Sequence, residues 1–404
     1  MKEGITMAIE FFSIQSSKKQ KLYEELLMLT GALSRLFTDS ENPYLYYRAA
    51  ENIFCKAFEA DNLSRGDVSA DAAKDKVGIG LKTFLQHNGM TYQKVAEFNR
   101  ELQEFKNLEG KHLIYKIAEM RNERIRMTKR TYEIDEMIYH LVTRDKRKMF
   151  LFEESMDEID LNTIKVSSKP KKNTIHFSDR YNEYTFSLSK STLLKKFITL
   201  NDNAIKELPV SIYDDPFDFL LRNKLELLND VKSSFKKEME LDHVILPLYS
   251  PSTGEVEEKS GLNAWNAAPR TKGGPSRPKD EVYIIVPTWI HSEKPDFFKY
   301  KREMHLSETP HFQVKLPNNK LLTMKLVQQG GKAINSKPLT DLGAWILREV
   351  LDIKPGTLVT RNMLHTIGVD SVKLTKVKDQ EFLLDFTETG SYEEFAQEYL
   401  GINE

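Results

Sequence analysis

Cysteine occurs once in 404 residues, at Cys55, which excludes an intrachain disulfide framework and any cysteine-based zinc cluster. Its neighbours Ile53, Phe54 and Phe58 follow helical spacing, so a small core residue is expected there rather than a nucleophile. An apolar run of about 20 residues, enough to span a bilayer, is missing, and the start MKEGITMAIEFF is too short and too acidic for a signal peptide. A cytoplasmic protein with no membrane partner is expected. An excess of one charge is missing too: 59 Lys and Arg stand against 60 Asp and Glu. A polyanionic partner must therefore be met by a local basic patch. There is no Gly-rich P-loop, no HExxH or HxxxH pattern and no Ser-His-Asp signature, and the histidines are scattered.

What is present reads as an α+β chain, long enough for two domains. A helix is expected near Lys18–Phe37 and another from Pro43, with Asn42 as its cap. Small and β-branched residues between Gly66 and Leu85 surround the turn signal Lys74–Lys76 and predict a hairpin ending in VGIGLKTFL. A helix is then expected from Thr91 to about Phe105, and a longer helical segment over Lys111–Arg147, whose Arg121, Arg124, Arg126, Lys129 and Arg130 read as a solvated helix face, with phosphate contact the less favoured alternative. The stretches MFLFEE, TIKVSS, NTIHFS and EYTFSLS read as strands that complete the hairpin's sheet, leading into a helix start at Ser191–Lys196. A boundary between about Phe235 and Ser260 divides a domain at 1–240 from one at 241–404. In the second, short strands (EVYIIVP, HFQVKLP, LLTMKLV, SVKLTKV, EFLLDF), separated by turns and one helix, DLGAWILREVL, predict a small mainly-β pseudobarrel.

The stretch DVSADAAKDKVGIGLKTFL, Asp67 to Leu85, holds the residues best suited to chemistry. Hydrolysing a phosphodiester needs carboxylates for a divalent metal and a cation beside the attacked phosphorus. A hairpin turning at Lys74–Lys76 brings Asp71 near Lys82, and strand alternation puts Gly80 and Lys82 on one face. Asp67 and Asp75 compete for the aspartate's role. Glu51, at the edge of an apolar helical stripe with Tyr47, Phe54 and Phe58, is a partly desolvated acid that needs a cation, a metal or a donor; an ion pair with Arg48 is the structural alternative.

This pattern resembles the PD-(D/E)XK nucleases, in which an aspartate is followed, after a short hairpin, by an acid-x-lysine triplet. Asp71 matches the first position and Lys82 the last, while Gly80 stands where the family has an acid. The resemblance implies that Glu97, on the expected following helix, and Glu51 supply the missing carboxylates. It implies catalytic roles for Asp71, Lys82, Glu97 and Glu51, with Asp71, Glu51 and Glu97 holding Mg²⁺ or, as a substitute, Mn²⁺. A solvated surface charge is the plain alternative for Glu97.

The motifs GLNAWNAAPRTKGGPSRPKDEVYIIVPTWIH, VQQGGKAINSKPLTDLGAWILREVL and IGVDSVKLTKV resemble the C-terminal DNA-binding domain of certain type II restriction endonucleases. That domain is a pseudobarrel of the kind called B-three in plant transcription factors. By their chemistry, Asn263, Asn266, Arg270, Lys272, Arg277 and Lys279 on one arm offer amides and guanidiniums for base edges and cations for phosphates, and Trp265 packs at the arm's base or touches sugar. Gln328, Gln329, Lys332 and Asn335 form a second cluster in a Gly-containing loop. The resemblance implies two arms clasping a major groove.

Together these readings give a type II restriction endonuclease that hydrolyses double-stranded DNA with Mg²⁺. It is expected as a homodimer or DNA-induced assembly, beside a cognate DNA methyltransferase of the same restriction-modification system. The alternative is a non-catalytic, sequence-specific DNA-binding regulator.

Overall fold

The computed structural model describes residues 10–63, 68–167, 173–224, 241–300 and 309–401. Asp67, one competitor for the aspartate's role, lies outside them. The chain forms two compact units, the first made of Met1–Glu97, Glu109–Ile125 and Ile134–Met239. The second takes in Phe98–Leu108 and Arg126–Glu133 besides Glu240–Glu404, so the division is not a single cut in the chain.

The first unit is built on a six-stranded sheet. Its strands, in spatial order, are β1 (Asp61–Asn62), β2 (Ala72–Lys74), β3 (Val77–Leu85), β5 (Glu136–Asp145), β6 (Lys148–Ser155) and β11 (Lys206–Pro209). The hairpin forms as expected: Lys74 pairs with Val77 across a two-residue turn, and Asp75 and Lys76 both have positive φ, 48° and 64°. Such a turn matches the right-handed twist of the strands it joins, and aspartate tolerates the left-handed region. Asp75 is thus the turn residue, exposed and beside Lys74. Strand β3 runs parallel to β5, and the intervening chain includes α4 (Gly110–Tyr132).

One face of this sheet, with Ile79, Leu81, Ile138, Val142, Met149 and Leu151, packs against α1 (Phe11–Ile14), α2 (Ser17–Ala32) and α3 (Tyr47–Phe58), whose Phe11, Tyr23, Leu27, Phe54 and Phe58 complete the core. Cys55 sits partly buried against this core. A polar thread crosses it. The Tyr23 hydroxyl meets His140 Nε2 at 2.9 Å, His140 Nδ1 meets Glu153 Oε1 at 2.7 Å, and the Phe12 N–H donates to the same carboxylate. Linked in this way, buried polar groups avoid the penalty of unmet hydrogen bonds.

Several sequence expectations are corrected here. The helix begins at Tyr47, after an extended Tyr46, rather than at Pro43. Met90–Glu97 is strand β4, not the start of a helix, and Ser191–Lys196 leads into strand β10 (Thr192–Ile198), to which β4 pairs antiparallel. The expected long helix ends at Tyr132, and Ile138 and Leu141 belong to β5. The strands after β6 do not extend the hairpin's sheet, β11 excepted. They make a second sheet of five, ordered β4, β10, β9 (Glu183–Ser187), β8 (Thr174–Ser178) and β7 (Lys165–Val166).

The second unit carries a seven-stranded sheet in the order β12 (His243–Pro247), β17 (Val369–Lys378), β18 (Glu381–Glu388), β14 (Phe312–Lys315), β15 (Leu321–Val327), β16 (Ala333–Ser336) and β13 (Ile284–Ile285). All neighbours pair antiparallel except β14 and β18. The end strands β12 and β13 lie against each other, so the sheet is nearly closed. Its interior holds the aromatic cluster Phe297, Phe298, Phe312 and Phe382, and Trp345 packs on Phe386. Closure removes open sheet edges, which otherwise invite pairing with other chains.

Candidate functional site

Asp71 immediately precedes β2. Its N–H donates to the Ile79 carbonyl at 2.8 Å, and its Oδ2 accepts the Leu81 N–H at 2.7 Å. The side chain therefore continues the ladder where backbone pairing stops, which fixes the carboxylate beside β3. Lys82 follows Leu81, half-buried, on the sheet face opposite the Phe54 core. Burial pushes its ammonium below the ordinary lysine range. Asp71 and Glu51 oppose that shift, and Arg121 and Lys94 add to it.

Glu51 lies on the inner side of α3, 4% exposed, with Arg48 Nη1 at 2.9 Å from its carboxylate. Around Cys55 the field is acidic: burial first, then Glu51, Asp61 and Asp71, push its thiol up to about 11. Hairpin and helix thus bring Asp71, Glu51 and Lys82 within electrostatic reach of one another. Glu97 is placed differently. It ends strand β4, is exposed, and pairs with Lys94 at 2.9 Å. The expected helical supply of that acid is therefore not what the fold provides. Among the described residues no group of three His, Cys, Asp or Glu is positioned to hold a metal ion.

Packing accounts for Gly80. In register, Gly80 stands next to Tyr139, and Tyr139 next to Glu154. A Cβ at position 80 would lie 2.4 Å from Met156 Cε and 3.2 Å from Tyr139 Cδ1. A side chain there would have to displace the Met156 methyl and crowd the Tyr139 ring.

The polar set on this same face corrects the expectation that Arg121 belongs to a solvated helix face. Arg121, 4% exposed, donates from Nη2 to the Tyr139 hydroxyl and from Nη1 to Ser69 Oγ, each at 2.9 Å. Lys195, also buried, is ion-paired with Glu154 and lies 4.5 Å from the Phe197 ring centroid. Burial raises the Glu154 carboxyl, and Lys195 opposes the shift. The signal was available: an arginine at the end of Leu113, Ile117 and Met120 lies on the apolar side of its helix.

In the second unit the expected DNA-facing residues separate into two groups. Asn263 is fully buried. Its amide donates to the carbonyls of Val359 (2.9 Å) and Glu257 (3.2 Å), and its oxygen accepts the Val359 N–H at 2.8 Å. It is a latch between chain segments, a correction to its expected role at base edges. Asn335 is 5% exposed on β16, not in an open loop, and Trp265 is 4% exposed, with Lys279 Nζ 4.3 Å from its ring centroid.

The rest of the set is on the surface. Arg270 and Arg277 both reach the buried Glu281, at 2.9 and 2.6 Å, with Arg270 the more exposed. Asn266 donates to the Glu258 carbonyl at 3.0 Å. Lys272, Lys279, Gln328, Gln329 and Lys332 are exposed. Gln328, Gly330 and Gly331 have positive φ, and a Cβ on Gly331 would meet His291 Nε2 at 2.9 Å, so that loop packs against its neighbours without side-chain bulk.

These features define an α+β protein that joins a sheet-borne cluster of acids and cations to a nearly closed β unit with basic and amide-bearing loops. Residues 230–378 match the family model described as the NgoFVII C-terminal B3-like DNA-binding domain, a domain of a restriction enzyme. Among curated proteins, no match is found.

Proposed function

We propose that the chain is a type II restriction endonuclease, with the second unit recognising a double-stranded DNA sequence and the first cutting it. The observation that carries the nuclease half is the Asp71 carboxylate fixed on the hairpin, with Asp71 and Glu51 of α3 within electrostatic reach of Lys82, in a chain whose residues 230–378 match a restriction enzyme's DNA-binding domain. The hairpin, with its aspartate at one end and its lysine at the other, supports a PD-(D/E)XK-like reading.

Mg²⁺ suits these residues because it keeps several waters and is commonly held by one or two carboxylates plus substrate phosphate, without an all-protein cage. Asp71 and Glu51 would hold it, with Mn²⁺ a substitute; exposed Glu97, tied to Lys94, lies at most at the margin. When bound, the ion polarises the phosphate and lowers the pKa of a bound water. Asp71, fixed by the Leu81 N–H, needs no reorganisation to take that role. Lys82 places positive charge where negative charge grows on the phosphate oxygens. The exposed cations Arg270, Lys272, Lys279 and Lys332 contact the duplex, together with Gln328 and Gln329. Cutting both strands needs two such sites, hence a homodimer or a DNA-induced assembly. A cognate methyltransferase would protect host sites.

The test is to incubate the purified protein with phage DNA and a plasmid library in Mg²⁺, with an EDTA control, and to sequence fragment ends. Discrete, metal-dependent fragments sharing a sequence support the reading. Intact DNA that is retarded on a gel would leave a DNA-binding regulator instead.

A further inference from the structure

Arg121 is an anomaly of charge. Arg121 is 4% exposed, yet the groups its guanidinium donates to, Ser69 Oγ and the Tyr139 hydroxyl, are both neutral. Among the described residues no carboxylate stands within ion-pair distance of it. A buried cation without a counter-charge is costly, and folded proteins normally pair it.

The surroundings sharpen the anomaly. Tyr139 lies beside Gly80 in register, two residues from Lys82 on the same face, and Ser69 lies two residues before Asp71. The two hydroxyls therefore hold Arg121 on the side of the sheet where Lys82 emerges. The nearest acid in that row, Glu154, is occupied by Lys195. A carboxylate at position 80 would have neutralised both cations, and Met156 and Tyr139 fill its place. Lys82 feels the carboxylates of Asp71 and Glu51, whereas Arg121 stands on the same side of the sheet as a second cation with no carboxylate at ion-pair distance among the described residues. A guanidinium has five N–H donors in a planar fork, so three remain after Ser69 and Tyr139, in a shape that fits a tetrahedral oxyanion.

We propose that Arg121 and Lys82 form a two-cation cradle for a phosphate group, with Arg121 gripping a non-bridging oxygen and Ser69 and Tyr139 holding the fork in place. In taking that phosphate to be the one cut in DNA, the inference rests on the nuclease reading; the cradle itself does not.

The experiment uses the full chain without divalent metal. Acylation of individual lysines by an amine-reactive ester is followed by mass spectrometry, with and without inorganic phosphate. Phosphate at about ten times its dissociation constant slows Lys82 acylation about tenfold, by mass action, and leaves the exposed Lys272 unchanged. Protection is lost in Arg121→Gln, partly kept in Arg121→Lys, and weakened in Ser69→Ala, which leaves the guanidinium intact but loosens its hold. Equal acylation of Lys82 with and without phosphate in the wild-type protein overturns the cradle, whether or not any variant folds. So does full protection in a folded Arg121→Gln. Protection in a protein that never cuts DNA would uphold the cradle and remove the nuclease reading; cutting without protection would do the reverse.

Discussion

The two units present polar residues in opposite ways. On the six-stranded sheet, the residues suited to chemistry are buried or half-buried and act on one another: Asp71 and Glu51 on Lys82, and Arg121 against it. In the nearly closed β unit, burial marks the reverse. Asn263 and Asn335 are buried in the scaffold, while Lys272, Gln328, Gln329 and Lys332 are exposed in loops. A buried charge without an ion-pair partner points to a site, whereas a buried amide bonded to backbone on both its atoms, as at Asn263, points to a latch. Both follow from the cost of dehydrating a polar group, which must be recovered from a neighbour or from a ligand.

The largest effect that would break this contrast belongs to Asn263. Asn263→Ala leaves the buried N–H and carbonyl of Val359 unmet and should destabilise the second unit by about 3 kcal/mol, read from urea unfolding, whereas Asn266→Ala should stay within about 0.5 kcal/mol. Near-equal stabilities would return Asn263 to the DNA-facing set.

Next comes Gly80→Glu. Overpacking against Met156 and Tyr139 should cost roughly 1–3 kcal/mol, and Met156→Ala in the same chain should recover most of the loss in thermal melts. A Gly80→Glu protein as stable as wild type would mean that packing does not explain the glycine.

Arg270→Ala should weaken binding to the cognate sequence by about 1–3 kcal/mol if the guanidinium reads a base, and all sequences alike if it touches phosphate. Arg277 keeps Glu281 paired in that variant, so an unchanged melting curve separates recognition from folding. Binding unaffected on any sequence would remove Arg270 from the interface.

The smallest effect concerns Lys82, whose folded pKa is depressed by burial. Below that pKa both states carry the proton, and the folded state bears the full penalty. As pH rises through the folded pKa toward the ordinary lysine range, the unfolded state holds more protons and the wild type gains stability. Lys82→Met should accordingly be slightly more stable than wild type at neutral pH, with the gap closing in alkali. A less stable Lys82→Met at pH 7 would show that the ammonium is a structural partner.

The hairpin was legible because its turn chemistry is local: Asp75 and Lys76 suit the left-handed turn, and β-branched and small residues flank it. The strands of the second unit were legible for the same reason. What was not legible depended on distant partners. Val95, Phe98 and Leu102 keep helical spacing, but pairing with β10 made Met90–Glu97 a strand, which moved Glu97 away from its expected place. Strand β5 is buried on both faces, and MIYHLV gives periodicity no polar side to detect, so it read as a continuation of α4. The Arg121 site had a sequence signal in its apolar helix face, but Tyr139 and Ser69 reach it only through the fold. Asn263 and Asn266 look alike in sequence; only the return of the chain at Val359 distinguishes them.

The central claim, that the hairpin edge cuts what the β unit binds, is tested most directly by measuring cleavage and affinity for one DNA in parallel, for wild type and Asp71→Ala in Mg²⁺. The account predicts cleavage reduced by at least about a hundredfold, as losing a metal-holding carboxylate removes several kcal/mol of transition-state stabilisation, with affinity in Ca²⁺ or EDTA nearly unchanged. Equal cleavage by the two proteins, or affinity falling in step with cleavage, would contradict it.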